Sequence, residues 1–144
     1  MSASDFDEAV ETYREALGRF VQGDPAPVLS TFSQRDNVTL ANPLGPPHRG
    51  WSAVVQASEH AAAGISGGSI RFEEVSRYST GEMGYVLELH RVEAHVAGSP
   101  DKSPISLRVT TVFRREGDAW RVAHRHADPI TTPRDLSTIV EQSP

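Results

Sequence analysis

The chain has 144 residues, of which 38% are hydrophobic and 23% charged, a composition typical of one globular domain and not of a disordered chain. Its 14 Lys and Arg against 19 Asp and Glu give a net charge of -5, which argues against a nucleic-acid partner because no excess of basic residues gathers phosphates. The absence of cysteine excludes disulfides, thiolate nucleophiles and cysteine-based zinc sites.

The first residues, Met-Ser-Ala-Ser-Asp-Phe-Asp-Glu, are acidic where a secretory leader would be basic. No apolar run in the sequence reaches the length that crosses a bilayer. We therefore expect a cytoplasmic protein with no membrane partner.

Three helices are predicted in the first half of the chain. Ser4, with Asp7 three residues later, resembles a capping box and predicts the start of the first helix, which ends at Gly23. A short second helix follows Pro25, and a third begins at Trp51 and ends before Gly64. The apolar face of the first helix consists of Phe6, Val10, Tyr13, Leu17, Phe20 and Val21.

A short strand over residues 37 to 42 separates the second and third helices and ends at Pro43. The following loop, residues 43 to 50, holds three prolines and two glycines, so we expect a rigid loop that could shape the mouth of a pocket. His48 and Arg49 in this loop could guard such a mouth or be solvated.

Strand periodicity takes over after Gly67-Gly68, which we expect to break the chain. Short polar connections predict that consecutive strands pair as an antiparallel meander, so the fold class is α+β, with helices on one face of a curved sheet. We expect one domain over residues 1 to 144, with a core of about residues 5 to 128 and a tail over 129 to 144 that is either a helical turn or loose. The four predicted strands cover residues 69 to 79, 83 to 96, 105 to 115 and 119 to 127.

Two stretches, Asn42-Pro-Leu-Gly45 with Gly50-Trp51 and the final hairpin over residues 113 to 126, resemble the SnoaL-like, nuclear-transport-factor-2-like superfamily. Its members include SnoaL-like polyketide cyclases, ketosteroid isomerase and the association domain of calcium/calmodulin-dependent protein kinase II. The resemblance implies a cone-shaped half-barrel, a deep cavity between the concave sheet and the helices, and a homodimer formed across the sheets. It does not imply one activity, since this fold hosts enzymes, binding modules and assembly modules.

Ketosteroid isomerase offers three positions for comparison. Where the resemblance places its general base, this chain has Asn42, whose amide takes no proton at neutral pH. Thr111 falls at the position of its oxyanion-hole acid and also at that of a pocket arginine in the kinase association domain. Tyr13 lies about one helical turn before the place of the isomerase's tyrosine, so steroid chemistry is disfavoured.

Strict alternation on the last strand predicts that His124, His126 and Asp128 share the buried face of Trp120 and Val122. Such a pair of histidines is the best acid/base candidate, with Asp128 orienting His126; alternatively, both are structural histidines with satisfied hydrogen bonds. A metal site would need a third ligand, from Glu88 or His90, and we expect no metal and no cofactor. The predicted pocket residues are Tyr13, Asn42, Trp51, Thr111, Phe113, Trp120, His124 and His126.

Other polar residues have structural interpretations. Asn42 could bind a ligand or cap the proline-rich turn. Glu88 and Arg108 alternate with apolar neighbours, which predicts surface or interface ion pairs, and the helical angle of His60 predicts that it is exposed or at an interface.

The leading hypothesis is a domain that binds an unidentified small molecule in a mostly apolar cavity. The first alternative is an enzyme, a cyclase, dehydratase or isomerase of a carbonyl compound, in which His124 or His126 is the base and Tyr13 or Asn42 steadies the oxyanion. The second is a non-catalytic dimerisation module.

Overall fold

The computed structural model describes residues 4–141, so residues 1–3 and 142–144 of the predicted domain lie outside the described residues. The helices are α1 (Asp5–Phe20), α2 (Ala26–Leu29) and α3 (Trp51–Ala63), followed after the sheet by a short 3-10 turn, Leu136–Ile139. The strands are β1 (Thr39–Ala41), β2 (His48–Arg49), β3 (Ile65–Ser79), β4 (Met83–Val96), β5 (Ser103–Glu116) and β6 (Ala119–Asp128).

The first helix begins where its sequence predicts. The Ser4 hydroxyl accepts a hydrogen bond from the Asp7 amide at 3.1 Å, and acidic residues in the first turn favour the positive end of the helix dipole. Its apolar face is buried, and Tyr13 has no exposed surface. The predicted end of α3 at Gly64 is likewise confirmed.

The six strands form one sheet in the order β2-β1-β6-β5-β4-β3. All neighbours are antiparallel except β1 and β6, so the predicted meander of four long strands is confirmed. The two-residue strand β2 lies inside the predicted proline-rich loop and was not foreseen. Together these elements confirm the predicted α+β fold, with helices packed on a mostly antiparallel sheet.

The prediction that Gly67-Gly68 break the chain is wrong, because β3 runs through them from Ile65. The register of β3 against β4 shifts between Ser66 and Ser69, so the glycines form a bulge. Gly67 has a φ of +60°, which favours glycine, and the Gly68 amide donates to the Val21 carbonyl at 2.9 Å. The bulge therefore brings the end of α1 against the sheet.

The main core lies between the helices and one face of the sheet, which we call the inner face and define by Val86, Val109, Phe113 and Val122. A smaller cluster around Val92 continues it toward the other end of β4.

The tail after β6 forms the single 3-10 turn, and its apolar residues Leu136 and Ile139 are exposed. Of the two predicted alternatives, the structure thus has a short turn that buries none of its residues. No helix within residues 4–141 is long and apolar enough to span a membrane.

Candidate functional site

A β-bulge in β6 decides which side chains reach the inner face. Phe113 pairs with Val122 and Val112 pairs with His124, so Ala123 is an extra residue without a register partner in β5. Alternation therefore shifts by one position after Val122.

The shift exchanges the two faces for the rest of the strand. Arg125, opposite Thr111, and Ala127, opposite the buried Val109, face inward, whereas His124 and His126 face outward. The prediction that His124, His126 and Asp128 share the buried face is wrong, because it assumed an unbroken period of two.

On the outer face, the predicted pairing of His126 with Asp128 does occur, at 3.2 Å between Nε2 and Oδ2. Arg108 also donates to both oxygens of Asp128, at 3.0 and 2.8 Å, and these hydrogen bonds lower the pKa of that carboxyl group. Arg108 thus forms the predicted surface ion pair. His124 Nδ1 lies 2.7 Å from the Thr39 hydroxyl, and burial lowers the pKa of His124.

Asn42 and Trp51 lie apart from the interior polar groups. The Asn42 side chain accepts from the Leu44 amide at 3.1 Å and so caps the proline-rich turn, one of its two predicted alternatives. Trp51 is partly buried and packs against the core.

Four of the predicted pocket residues do come together between α1 and the sheet, namely Tyr13, Thr111, Phe113 and Trp120. The Thr111 hydroxyl donates to the Tyr13 hydroxyl at 3.3 Å, and the Phe113 ring meets the Tyr13 ring edge-on at 5.7 Å. The Phe6 ring links Phe113 to Trp120. Because Tyr13, Thr111 and Phe113 are fully buried, they fill the interior at this point.

Two further ionisable groups of the inner face, Glu88 and His90, lie on β4, where their side chains are 0% and 1% exposed. The prediction of a surface ion pair at Glu88 is wrong. That prediction rested on the neighbours Leu87 and Leu89 alone, but Arg91 and Glu93 further along the strand lie on the same face as these two leucines. Those two charged residues indicate that Leu87 and Leu89 lie on the outer face of the sheet. The sequence alone could therefore have shown that Glu88 faces inward.

The Glu88 carboxylate is held from two sides. Its Oε1 accepts from Arg14 Nη2 at 2.6 Å and from Arg14 Nε at 3.1 Å, and its Oε2 lies 3.0 Å from His90 Nε2. Burial alone would raise the pKa of Glu88, but the hydrogen bonds from His90 and Arg14 outweigh burial and lower it. Glu88 is therefore a carboxylate at neutral pH.

His90 keeps one ring nitrogen without a partner. Because the Glu88 carboxylate can only accept, His90 Nε2 carries the proton and Nδ1 presents a lone pair. Nδ1 is buried and has no hydrogen-bond partner within residues 4–141. Burial, then the positive charges of Arg125 and Arg14, lower the pKa of His90 to about 4 against the opposing effect of Glu88. The imidazole is thus neutral at pH 7.

Arg125 also faces inward only because of the bulge, since unbroken alternation from Val122 would turn it to the outer face. Its Nη1 donates to the Tyr13 hydroxyl at 2.5 Å, and no carboxylate of the described residues lies within ion-pair distance of it. No sequence signal marks it, since the bulge alone turns it inward. Arg14, in contrast to Arg125, could be located from the sequence. It follows Val10 by four residues, so a helical projection places it at the edge of the apolar face of α1.

Two surface depressions lie away from these groups. One, of about 540 Å³, is lined by Arg108 and residues 130–139, and the other, of about 680 Å³, lies across β3, β4 and the start of β5. Neither is lined by His90, Arg125 or Tyr13. Among the residues described here, no group of three or more His, Asp or Glu side chains is placed to hold a metal ion.

The family model described as SnoaL-like domain matches residues 9–131 of the chain. No curated protein sequence matches the chain significantly.

Solved structures share the fold. A nuclear transport factor 2 superfamily protein from Salmonella enterica superposes with a TM-score of 0.73 at 16% identity, covering 90% of this chain and 89% of its own. A ketosteroid isomerase-like protein from Erwinia carotovora gives 0.72 at 15% identity, covering 88% and 94%. A proposed dehydratase of the same superfamily from Streptomyces avermitilis gives 0.69 at 23% identity, covering 89% and 95%. Identities this low establish a common fold and nothing about a common activity.

Proposed function

Because the chain belongs to the SnoaL-like domain family, we propose that it binds a small organic molecule at the inner face of its sheet, next to His90. One observation carries the proposal: His90 Nδ1 is buried and unpartnered while Nε2 is held by Glu88. The ligand chemistry that matches a lone pair is an O–H or N–H donor.

The energetics support a ligand at this point. A buried polar atom left without its hydrogen bond costs about 1–3 kcal/mol. Enclosing the Glu88 charge adds a desolvation penalty that apolar residues of similar size would avoid. A donor bound to Nδ1 would offset the cost of leaving that nitrogen without a hydrogen bond. The Glu88 carboxylate would keep the imidazole in the tautomer whose Nδ1 accepts the ligand's hydrogen bond.

Access to His90 requires side chains to move. Its register partners Phe72 on β3 and Leu107 on β5 are half-buried, and the Phe72 ring meets the imidazole edge-on at 4.9 Å. We place the route to the site here, where displacing these two side chains uncovers Nδ1.

Binding is tested with two neutral donors, phenol and 3-hydroxybenzamide, on protein carrying ¹⁵N-labelled histidine. The proposal expects the His90 Nδ1 resonance to move upfield as the nitrogen accepts a hydrogen bond. His90→Gln keeps a group at the position that faces Glu88 and lacks the Nδ1 acceptor, so it should lose binding. His90→Asn keeps an acceptor near Nδ1 and should retain weaker binding. A His90→Gln variant that binds as tightly as wild type rules the site out.

A second candidate function is enzymatic. Glu88 and His90 have the arrangement of a base and the carboxylate that orients it, and Arg125 and Tyr13 supply donors that could steady an oxyanion. His90 takes over the role predicted for His124 and His126, which face outward.

The enzymatic function is tested by the exchange of α-hydrogens of cyclohexanone in D₂O, followed by NMR. Wild type should accelerate the exchange, His90→Gln should abolish the acceleration, and His126→Gln should leave it unchanged. An accelerated exchange that survives His90→Gln would exclude His90 as the base.

We also infer that the chain forms a homodimer through the outer face of the sheet. Tyr78 and Tyr85 pair across β3 and β4 with 64% and 37% of their surfaces exposed. Apolar side chains concentrated on one sheet face are typical of interfaces, and a twofold pairing would cover this face in both chains.

A further inference from the structure

We propose that the molecule bound at the inner face is a carboxylic acid, whose carboxylate pairs with Arg125 and whose hydroxyl or N–H donates to His90 Nδ1. This inference rests on the proposed function and names the chemical class of its ligand.

Arg125 carries a charge that no carboxylate within residues 4–141 pairs with. The guanidinium is partly buried, and the one side-chain partner it has within residues 4–141 is the neutral hydroxyl of Tyr13. A partly buried cation without an acidic partner loses hydration that one hydrogen bond to a neutral hydroxyl repays only in part. A carboxylate is the anion whose two oxygens match the planar fork of a guanidinium.

The neighbouring charges do not neutralise Arg125. The Glu88 carboxylate is occupied by Arg14 and His90, and Arg14 also binds Glu74 at 2.9 Å. None of these carboxylates contacts Arg125 within residues 4–141. An anionic ligand would supply the ion pair that Arg125 lacks.

Arg125 and His90 meet neighbouring residues of α1. Arg125 donates to the Tyr13 hydroxyl, and His90 binds Glu88, which accepts from Arg14, the next residue of that helix. A single small molecule can therefore reach both groups. The unpartnered lone pair of His90 requires a donor, whereas Arg125 requires an acceptor.

The bulge in β6 directs Arg125 inward. Without the extra residue Ala123, regular alternation from Val122 would turn the side chain at position 125 to the outer face. Bulges are frequent beside functional sites because they redirect a side chain.

The experiment compares 3-hydroxybenzoate with 3-hydroxybenzamide, which share the ring and the hydroxyl and differ in charge. Affinities are measured by titration calorimetry, and the His90 Nδ1 resonance reports the site. Wild type should bind the acid about ten-fold or more tightly than the amide, as expected for a charge-assisted pair. Arg125→Met should remove this preference, because the acid loses a charge-assisted pair whereas the amide loses only a neutral hydrogen bond.

Arg121→Met is the matched control, since Arg121 lies on the same strand, pairs with Arg114 across the sheet and binds the Ser30 carbonyl instead of the interior. It should keep the preference for the acid, and thermal unfolding of each variant verifies folding.

Equal binding of acid and amide at His90 in wild type would overturn the carboxylate assignment and leave the proposed function standing. A preference that persists in Arg125→Met would also overturn it. Failure of both probes to shift the His90 resonance would overturn the proposed function and this inference together.

Discussion

At the scale of single residues, the protonation of His90 sets the charge of the inner face. The Glu88 carboxylate and the Phe72 ring contact it, and the positive charges of Arg14 and Arg125 act on it as well. Burial and the two arginines favour the neutral imidazole, and only Glu88 favours the charged form. His90 therefore binds a proton less readily in the folded protein than in the unfolded chain.

This difference predicts how stability depends on pH. In the folded state the pKa of His90 falls from 6.5 to about 4, so between these values the unfolded state binds more protons. Stability should be complete above pH 6.5 and decrease as the pH falls toward 4. The total loss should be about 3 kcal/mol, at about 1.4 kcal/mol per pKa unit. Urea unfolding of wild type and His90→Gln between pH 4.5 and 7.5 measures it.

Most of the slope should disappear in His90→Gln. A residual slope of the same sign is expected from His124, whose pKa burial also lowers, and a His124→Gln variant isolates it. The contribution of Glu88, whose pKa is lowered too, is lost only at more acidic pH. Identical slopes in wild type and His90→Gln would mean that the folded protein protonates His90 as readily as the unfolded chain.

At the scale of secondary-structure elements, the helices and the hairpin-linked strands follow from local patterns. The cap at Ser4, the stop at Gly64 and the period of two along β4 are encoded within a few residues, so the sequence predicts them. The inward orientation of Glu88 could also have been predicted, from the charged residues Arg91 and Glu93 later on the same strand.

The orientation of Arg125 could not be predicted, because distant chain segments determine the bulge. The Val122 amide donates to the Thr31 carbonyl, and the Val122 carbonyl accepts from the Ser33 amide, both at 2.8 Å. The next strand residue in register, His124, pairs instead with Thr39 on β1. The segment between α2 and β1 thus fixes where the extra residue lies, and nothing local to β6 records it.

Docking of α1 on the sheet gives a prediction for Gly68. A Cβ at this position would lie 2.5 Å from the Val21 carbonyl oxygen and 2.9 Å from the Ala94 Cβ. Since one obstacle is backbone, Gly68→Ala should push the end of α1 from β3 and β4 and lower the free energy of unfolding by about 1–3 kcal/mol. Guanidinium unfolding at neutral pH measures the change.

Gly81→Ala is the control for this substitution. No atom lies within 4 Å of a Cβ built at Gly81, in the turn between β3 and β4. Its effect should stay within about 0.5 kcal/mol. If both variants unfold at the same denaturant concentration as wild type, the contact of α1 with the bulge is not tight.

At the scale of the whole molecule, the two faces of the sheet differ in what covers them. Helices cover the inner face, whereas the outer face presents Tyr85, Leu87 and Leu89 of β4 beside ion pairs of both signs, such as Arg91 with Glu73. Apolar residues beside charges of both signs are what the proposed pairing of two copies through this face requires.

The chain is therefore predicted to sediment as a particle of two 15.7 kDa chains. Leu87 is half-buried near the middle of the outer face, opposite Thr110 and Ser76, so Leu87→Arg would place a positive charge against its symmetry mate's surface. This variant should sediment as one chain, because a desolvated, unpaired charge costs several kcal/mol. Leu44→Arg is the control, since Leu44 is 66% exposed in the proline-rich loop and off the sheet. It should remain dimeric, and equal masses for Leu87→Arg and wild type would place any interface elsewhere.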